Sequence, residues 1–244
     1  MFRLLSLAVM AGFALTSCAP AYISNTRNVP LFGEANEFAG SVAISSGIDV
    51  QTAYSVSDHV ALIANANAVF KKEKPEGKPS FNRDHFFAEG GIGYFSRSKP
   101  MRFELFGGYG FGGGTSYESY YFFQTGSENV ILKANYNRIF IQPSIGTNKK
   151  KFNIMFTGRV SMVGFSKFTT EDPSAQVKEF RPGKYDVVLE PAVTVRAHLA
   201  GNVRGFFQLG VNRPLSADAA FNYVPVQASV GIQIHTGQLS TRVY

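Results

Sequence analysis

The chain is short of the residues that staple or arm most small domains. It has one cysteine in 244 residues. No internal disulfide is possible, so stability must come from packing and backbone pairing. Tryptophan is absent, and only 17% of residues are charged. The net charge of +7 comes from basic residues that do not form one patch, which speaks against a nucleic-acid surface. Beyond the N-terminal region no stretch reaches 18 continuous apolar residues, so no spanning helix is expected. The histidines, at 59, 85, 198 and 235, show no metal-ligand spacing with cysteine or carboxylates. The Gly107–Gly114 run lacks the Lys-Ser/Thr ending and the following helix of a phosphate loop. It reads as a Gly-rich strand.

What is abundant is glycine (24), phenylalanine (23) and tyrosine (11), a composition for aromatic-rich strands and tight turns. Period-2 segments recur from residue 37 onward. They predict ten strands, near 37–45, 48–56, 60–70, 84–95, 101–112, 132–146, 152–165, 185–197, 203–210 and 223–235. Eight is the alternative count. After the second strand the connections alternate short and long. The long ones are 71–83, 113–131, 166–184 and 211–222. Transmembrane barrels alternate short periplasmic turns and longer outer loops in this way. Both chain ends then fall on the short-turn side. The turn at Ser46-Gly47 departs from the rule by being short on the long-loop side. Pro143, Pro191 and Pro225 each sit inside a predicted strand after a long loop, and bulges are expected there. The Tyr- and Phe-rich stretch 115–124 suits a binding surface. It reads more naturally as a hairpin continuing past the membrane.

The two faces of these strands differ in kind. One carries Leu62, Ile92, Phe103, Ile154, Val160, Val193, Ile232 and similar residues with almost no charge. The other carries Asp49, Glu89, Arg102, Glu104, Arg138, Arg159, Asp186, Glu190, Arg196 and Arg204 among Asn and Gln. Its cations are Arg, never Lys; the lysines fall in loops, turns and strand ends. The planar fork of Arg suits confined, bidentate pairing with carboxylates, whereas Lys prefers free hydration. The pattern predicts a narrow lumen filled by an Arg–carboxylate network. Gly91, Gly93, Gly108 and Gly110 on that face would leave room for long side chains. Glu89 and Glu104 are also paired carboxylates of the kind used in acid–base catalysis, but neighbouring Arg favours a structural role. No nucleophile, base and orienting acid can be assembled, so no catalytic residues are assigned and no cofactor or metal is expected.

The N-terminus has Arg3, an apolar run from Leu4 to Leu15, then Thr16-Ser17-Cys18. A positive start, a short apolar core and small residues before a cleavage point make a secretory signal. Leu15-Thr16-Ser17-Cys18 looks like a bacterial lipobox, in which the cysteine becomes the first mature residue and carries a covalent lipid. The predicted organisation is a signal peptide at 1–17, a tether at 18–36, a barrel at 37–236 and a tail at 237–244.

With these features the chain resembles small bacterial outer-membrane β-barrels carrying a lipoprotein signal. The lipobox is the one specific motif; the strand architecture over 37–236 is the rest. The resemblance implies an antiparallel up-and-down transmembrane barrel, non-enzymatic, lipid-anchored at Cys18 and located in the outer membrane. Outer-membrane lipid would be its partner, with an extracellular protein or glycan as a further possibility through the long loops. Many members end on the last strand with an aromatic; here the last predicted strand ends near His235. The alternative is a soluble, lipid-anchored periplasmic barrel with an apolar cavity for a hydrophobic ligand. An enzyme acting on envelope lipids is more distant. The membrane reading needs apolar residues outward and Arg inward; the soluble reading needs the inverse.

Overall fold

The computed structural model describes residues 21–70, 81–98, 100–120, 128–147, 149–170, 183–216 and 223–236. Among these every regular element is a β-strand. They are β1 (Phe38–Ile44), β2 (Ile48–Ser55), β3 (Val60–Val69), β4 (Phe81–Ser98), β5 (Met101–Tyr120), β6 (Glu128–Thr147), β7 (Phe152–Thr170), β8 (Tyr185–Ala200), β9 (Val203–Val211), β10 (Arg213–Pro214) and β11 (Val226–His235). Each strand from β1 to β9 pairs antiparallel with its chain neighbour. β11 closes the ring between β9 and β1. Ten strands therefore form a closed antiparallel barrel. β10 lies outside that ring and pairs with β8 at Val188 and Leu189. Closure leaves no free edge, which is how an all-β chain without disulfides satisfies its backbone.

The ten predicted strands correspond to these ten, with differences at the long-loop ends. β5 and β6 reach 20 residues each, and β7 reaches 19. The β5–β6 pairing runs on to Tyr120↔Glu128, so residues 115–120 continue the hairpin. β1, β2 and β3, by contrast, have only 7, 8 and 10 residues. The barrel thus has a tall wall, β4–β8, and a low wall, β9, β11 and β1–β3. The prolines do not make the expected bulges. Register shifts fall instead at Asn135/Tyr136 and His198/Ala200. Pro143 interrupts the β6–β7 ladder without shifting it, and Pro225 precedes β11. A missing N–H removes a bond at one position; it does not by itself insert a residue.

Away from the two register shifts, side chains alternate in and out. Leu62, Ile92, Phe103, Ile154, Val160, Val193 and Ile232 are exposed on the outside, while Arg138, Arg159, Glu104 and Glu190 are buried inside. Inward Phe at 87, 95, 106, 140 and 206 lie on the polar-face parity and are buried too. The inward glycines admit these rings. A Cβ on Gly108 would stand 2.6 Å from Phe140 Cζ, and one on Gly110 would stand 2.5 Å from Phe87 Cζ.

The region expected as a tether folds differently. Ala21–Gly33 is buried throughout and passes down the inside of the barrel. It enters beside Tyr223 at the long-loop end and leaves beside Ser55 at the short-turn end, where β1 begins. Leu31 and Asn36 take left-handed backbone angles (φ 60° and 64°) as the chain turns there toward β1. The start of β1 and the end of β11 do lie on the short-turn side, linked by the Thr236 N–H donating to the Phe38 carbonyl. The chain before β1, however, comes from the opposite end. Cys18, the signal segment and the tail at 237–244 lie outside the described residues.

Candidate functional site: a filled lumen

The lumen is a site made by two partners, the wall and the chain's own segment. The wall's backbone is already committed to its ladders, so the segment cannot join as a strand. A buried backbone must nonetheless find partners. Inward side chains provide them. The Gln208 carboxamide accepts from the Arg27 N–H at 2.7 Å and donates to the Arg27 carbonyl at 3.0 Å. Gln51 donates to the Thr26 carbonyl at 2.5 Å, and Gln142 to the Asn28 carbonyl at 2.8 Å. Arg196 donates to the Val29 carbonyl at 2.5 Å. The Phe32 N–H donates to Glu104 at 3.0 Å.

The centre is an ion-pair cluster. Arg138 contacts Glu89 and lies 3.7 Å from Glu190; Arg159 lies 3.6 Å from Glu89 and 3.8 Å from Glu190. The segment adds a third cation, Arg27, 3.9 Å from Glu190. It also adds neutral partners. The Tyr22 hydroxyl donates to Glu190 and accepts from Arg138 at 2.7 Å. Asn25 donates to Glu89 at 2.8 Å and accepts from Arg138 and Arg159. Arg138 lies 4.5 Å from the Phe87 ring centroid and Arg159 4.8 Å from that of Phe140, so the inward rings face the cations.

Of the ten residues predicted to line this network, four meet in the cluster: Glu89, Arg138, Arg159 and Glu190. Asp49 is buried but serves the segment and its neighbours, accepting from Thr26 at 2.7 Å and Asn67 at 3.0 Å. Glu104 and Arg196 work lower down, on the backbone at Phe32 and Val29. Arg204 is buried toward the short-turn end, and Asp186 is buried at the start of β8. Arg102 is half-buried beside Gly33. Among the described residues these charges are spread along the path of the segment, with the ion pairs gathered at Glu89, Arg138, Arg159 and Glu190.

Aromatic clusters close both ends. At the long-loop end Tyr22 stands edge-on to Tyr136, with Phe87, Phe165 and Val188 around them. His85 Nε2 lies 2.8 Å from the Tyr136 hydroxyl, which itself donates to the Ile23 carbonyl. At the short-turn end Phe32 packs among Phe95, Phe106, Phe140 and Ile63. Below it Glu37 accepts from the Gly33 N–H at 2.8 Å. Burial pushes the Glu37 carboxyl above the usual carboxylate range; the Gly33 N–H opposes that rise without cancelling it.

Sequence reasoning missed the segment and the inward Phe. The Phe were legible: 87 and 95 share parity with Glu89, and 106 and 140 with Glu104 and Arg138. The segment left no periodic signal. Among the described residues no three His, Cys, Asp or Glu side chains gather as a metal group would require. Gly107–Gly114 lies within β5. No protein-family model matches the chain, and no curated protein matches it either.

Proposed function

We propose that this chain is a non-enzymatic outer-membrane lipoprotein whose barrel spans the bilayer and is closed by its own N-terminal segment. The observation that carries the reading is the inversion of the two faces: apolar side chains outward, ions and amides inward. The outward run Phe152–Met162 on β7 covers ten residue steps, roughly 33 Å along the strand. At the tilt usual for barrels that is about 25 Å of height, the height of an outer-membrane apolar band. Exposed aromatics flank the apolar belt elsewhere around the barrel. Phe38, Tyr54, Tyr94 and Phe103 lie toward the short turns, and Phe70, Phe86, Phe111 and Tyr185 toward the long loops. Above this level the outer face of the tall wall becomes polar, with Asp84, Asn135, Lys133 and Lys167. The lumen's polarity and its occupant speak for this reading over a soluble barrel with an apolar cavity.

The role that follows is structural or surface interaction through the long-loop end, where the tall wall rises beyond the belt. The lipobox Leu15–Cys18 supplies a covalent lipid on Cys18, and no catalytic residue is assigned.

Fractionation of Cys18→Ala tests the proposal. The variant should lose fatty-acid label yet stay with the outer membrane through an alkaline carbonate wash, because the barrel itself is integral. Release of the unlipidated chain into the soluble fraction would favour the lipid-anchored soluble barrel. Refolded protein in planar bilayers should show no large, stable conductance, since ten strands filled with side chains leave no wide channel.

A further inference from the structure

The direction of the lumenal segment fixes which end of the barrel the N-terminus leaves from. Ser24 hydrogen-bonds Gln227 near the start of β11, and the Phe32 ring lies 5.9 Å from that of His235 at its end. Eight residue steps of the segment therefore accompany eight of β11, in the same direction, and the bridge Tyr22–Tyr223 is parallel. An extended chain advances ~3.3 Å per residue, so Ser24–Phe32 follows β11 for roughly 26 Å, about 20 Å of height at the wall's tilt and most of the apolar belt. Its upper end, Ala21 and Ile23, lies among Asp84, His85, Gly114 and Ala134, on the long-loop side of that belt.

Cys18 is three residues before Ala21. A chain reaches at most ~3.6 Å per residue, which holds Cys18 within roughly 11 Å of Ala21. A return to the short-turn side needs more than twice that length, through a lumen the segment already fills. The rim is lowest at the turn 45–47 between β1 and β2. A short connection is not required on the long-loop side, and here it keeps the described wall low.

We propose that a lipid on Cys18 is held in the outer leaflet, on the same side as the long loops, and that residues 21–33 are the passage that brings it there. This rests on the lipoprotein and membrane-barrel reading above. It reverses the simpler expectation that a tether at the short turns places the lipid in the periplasmic leaflet. The segment then has two roles. It fills the lumen, and it fixes the side on which the anchored end emerges.

The experiment uses the full-length, lipidated chain in cells. A short epitope carrying a site-specific protease sequence is placed between Pro20 and Ala21, in a second variant within 171–182, and in a third at 149–151. Protease added to intact cells should cut the first two to a similar extent and leave the third whole until the cells are opened. A cut at 171–182 with the 20/21 site protected until opening would overturn the inference and leave the barrel orientation standing. A cut at 149–151 with 171–182 protected would overturn the orientation, and the inference with it. Because an insertion can disturb assembly, Pro20→Cys provides a second readout. With Cys18 blocked by lipid, its thiol should react with a membrane-impermeant maleimide on intact cells. Reaction only after the cells are opened would again overturn the inference.

Discussion

The middle of the lumen and its two ends hold the same segment by different chemistry. At the ends, Tyr22 and Phe32 sit in aromatic clusters. Such contacts are strong in sum but tolerate small slides, because dispersion has little direction. In the middle, Asn25 and Thr26 donate to the Glu89 and Asp49 carboxylates and the Arg27 Nε–H donates to the Glu190 carbonyl, hydrogen bonds with fixed geometry. A shift by one residue would unpair most of them. The comparison teaches a division of labour: the ends supply adhesion, and the middle sets register. Buried ion pairs are weak net stabilisers against apolar replacements, yet losing one partner strands the other. The middle should therefore be the more fragile to single substitutions.

That contrast can be broken at several points. Arg138→Ala removes the shared partner of Glu89, Glu190, Tyr22 and Asn25. It should cost ~3–5 kcal/mol in urea unfolding from detergent micelles. The double variant Glu89→Gln/Arg138→Met should recover a measurable part of that loss. No recovery would mean that neither the stranded Glu89 charge nor the lost volume accounts for the cost. Phe32→Ala at the lower end should cost about 3 kcal/mol, the low side of the range for deleting a buried Phe, because the neighbouring rings can partly close the gap. A loss larger than that of Arg138→Ala would reverse the ranking of ends and middle. Gln208→Ala unpairs the N–H and the carbonyl of Arg27 together and should cost ~1–3 kcal/mol in the same assay. Lys150→Ala, at an exposed turn, should change stability by less than ~0.5 kcal/mol. A large effect there would show that the turn packs against something beyond the barrel.

Much of the wall was legible in the sequence. Period-2 alternation gave ten strands, and the bounds of β1 to β3 fall within two residues of their expected places. The long-loop ends of β4 to β7 were less readable. Past the apolar belt both faces of a strand meet polar or small residues, so Gly113, Thr115, Ser166 and Lys167 carry no alternation to detect. Arg-only cations on one face pointed to confinement, and Arg138 and Arg159 are indeed enclosed. Which of the ten would meet one another was not legible, for a definite reason. Parity says that a residue faces inward; it does not say at what height or toward which partner.

The sequence by itself determined the class of wall. Alternation forces one face in and one out, closure removes the edges, and a filled, polar interior requires a polar parity. Only the tertiary structure decided what fills it. Ser24–Asn28 is a run of polar residues that would be as content in water as in the lumen. Its burial depends on partners such as Glu190, Gln208 and Gln142, more than a hundred positions away in the chain. Local composition cannot encode an environment assembled from the opposite end of the sequence, so the same residues that read as a solvated tether become the inner half of the core.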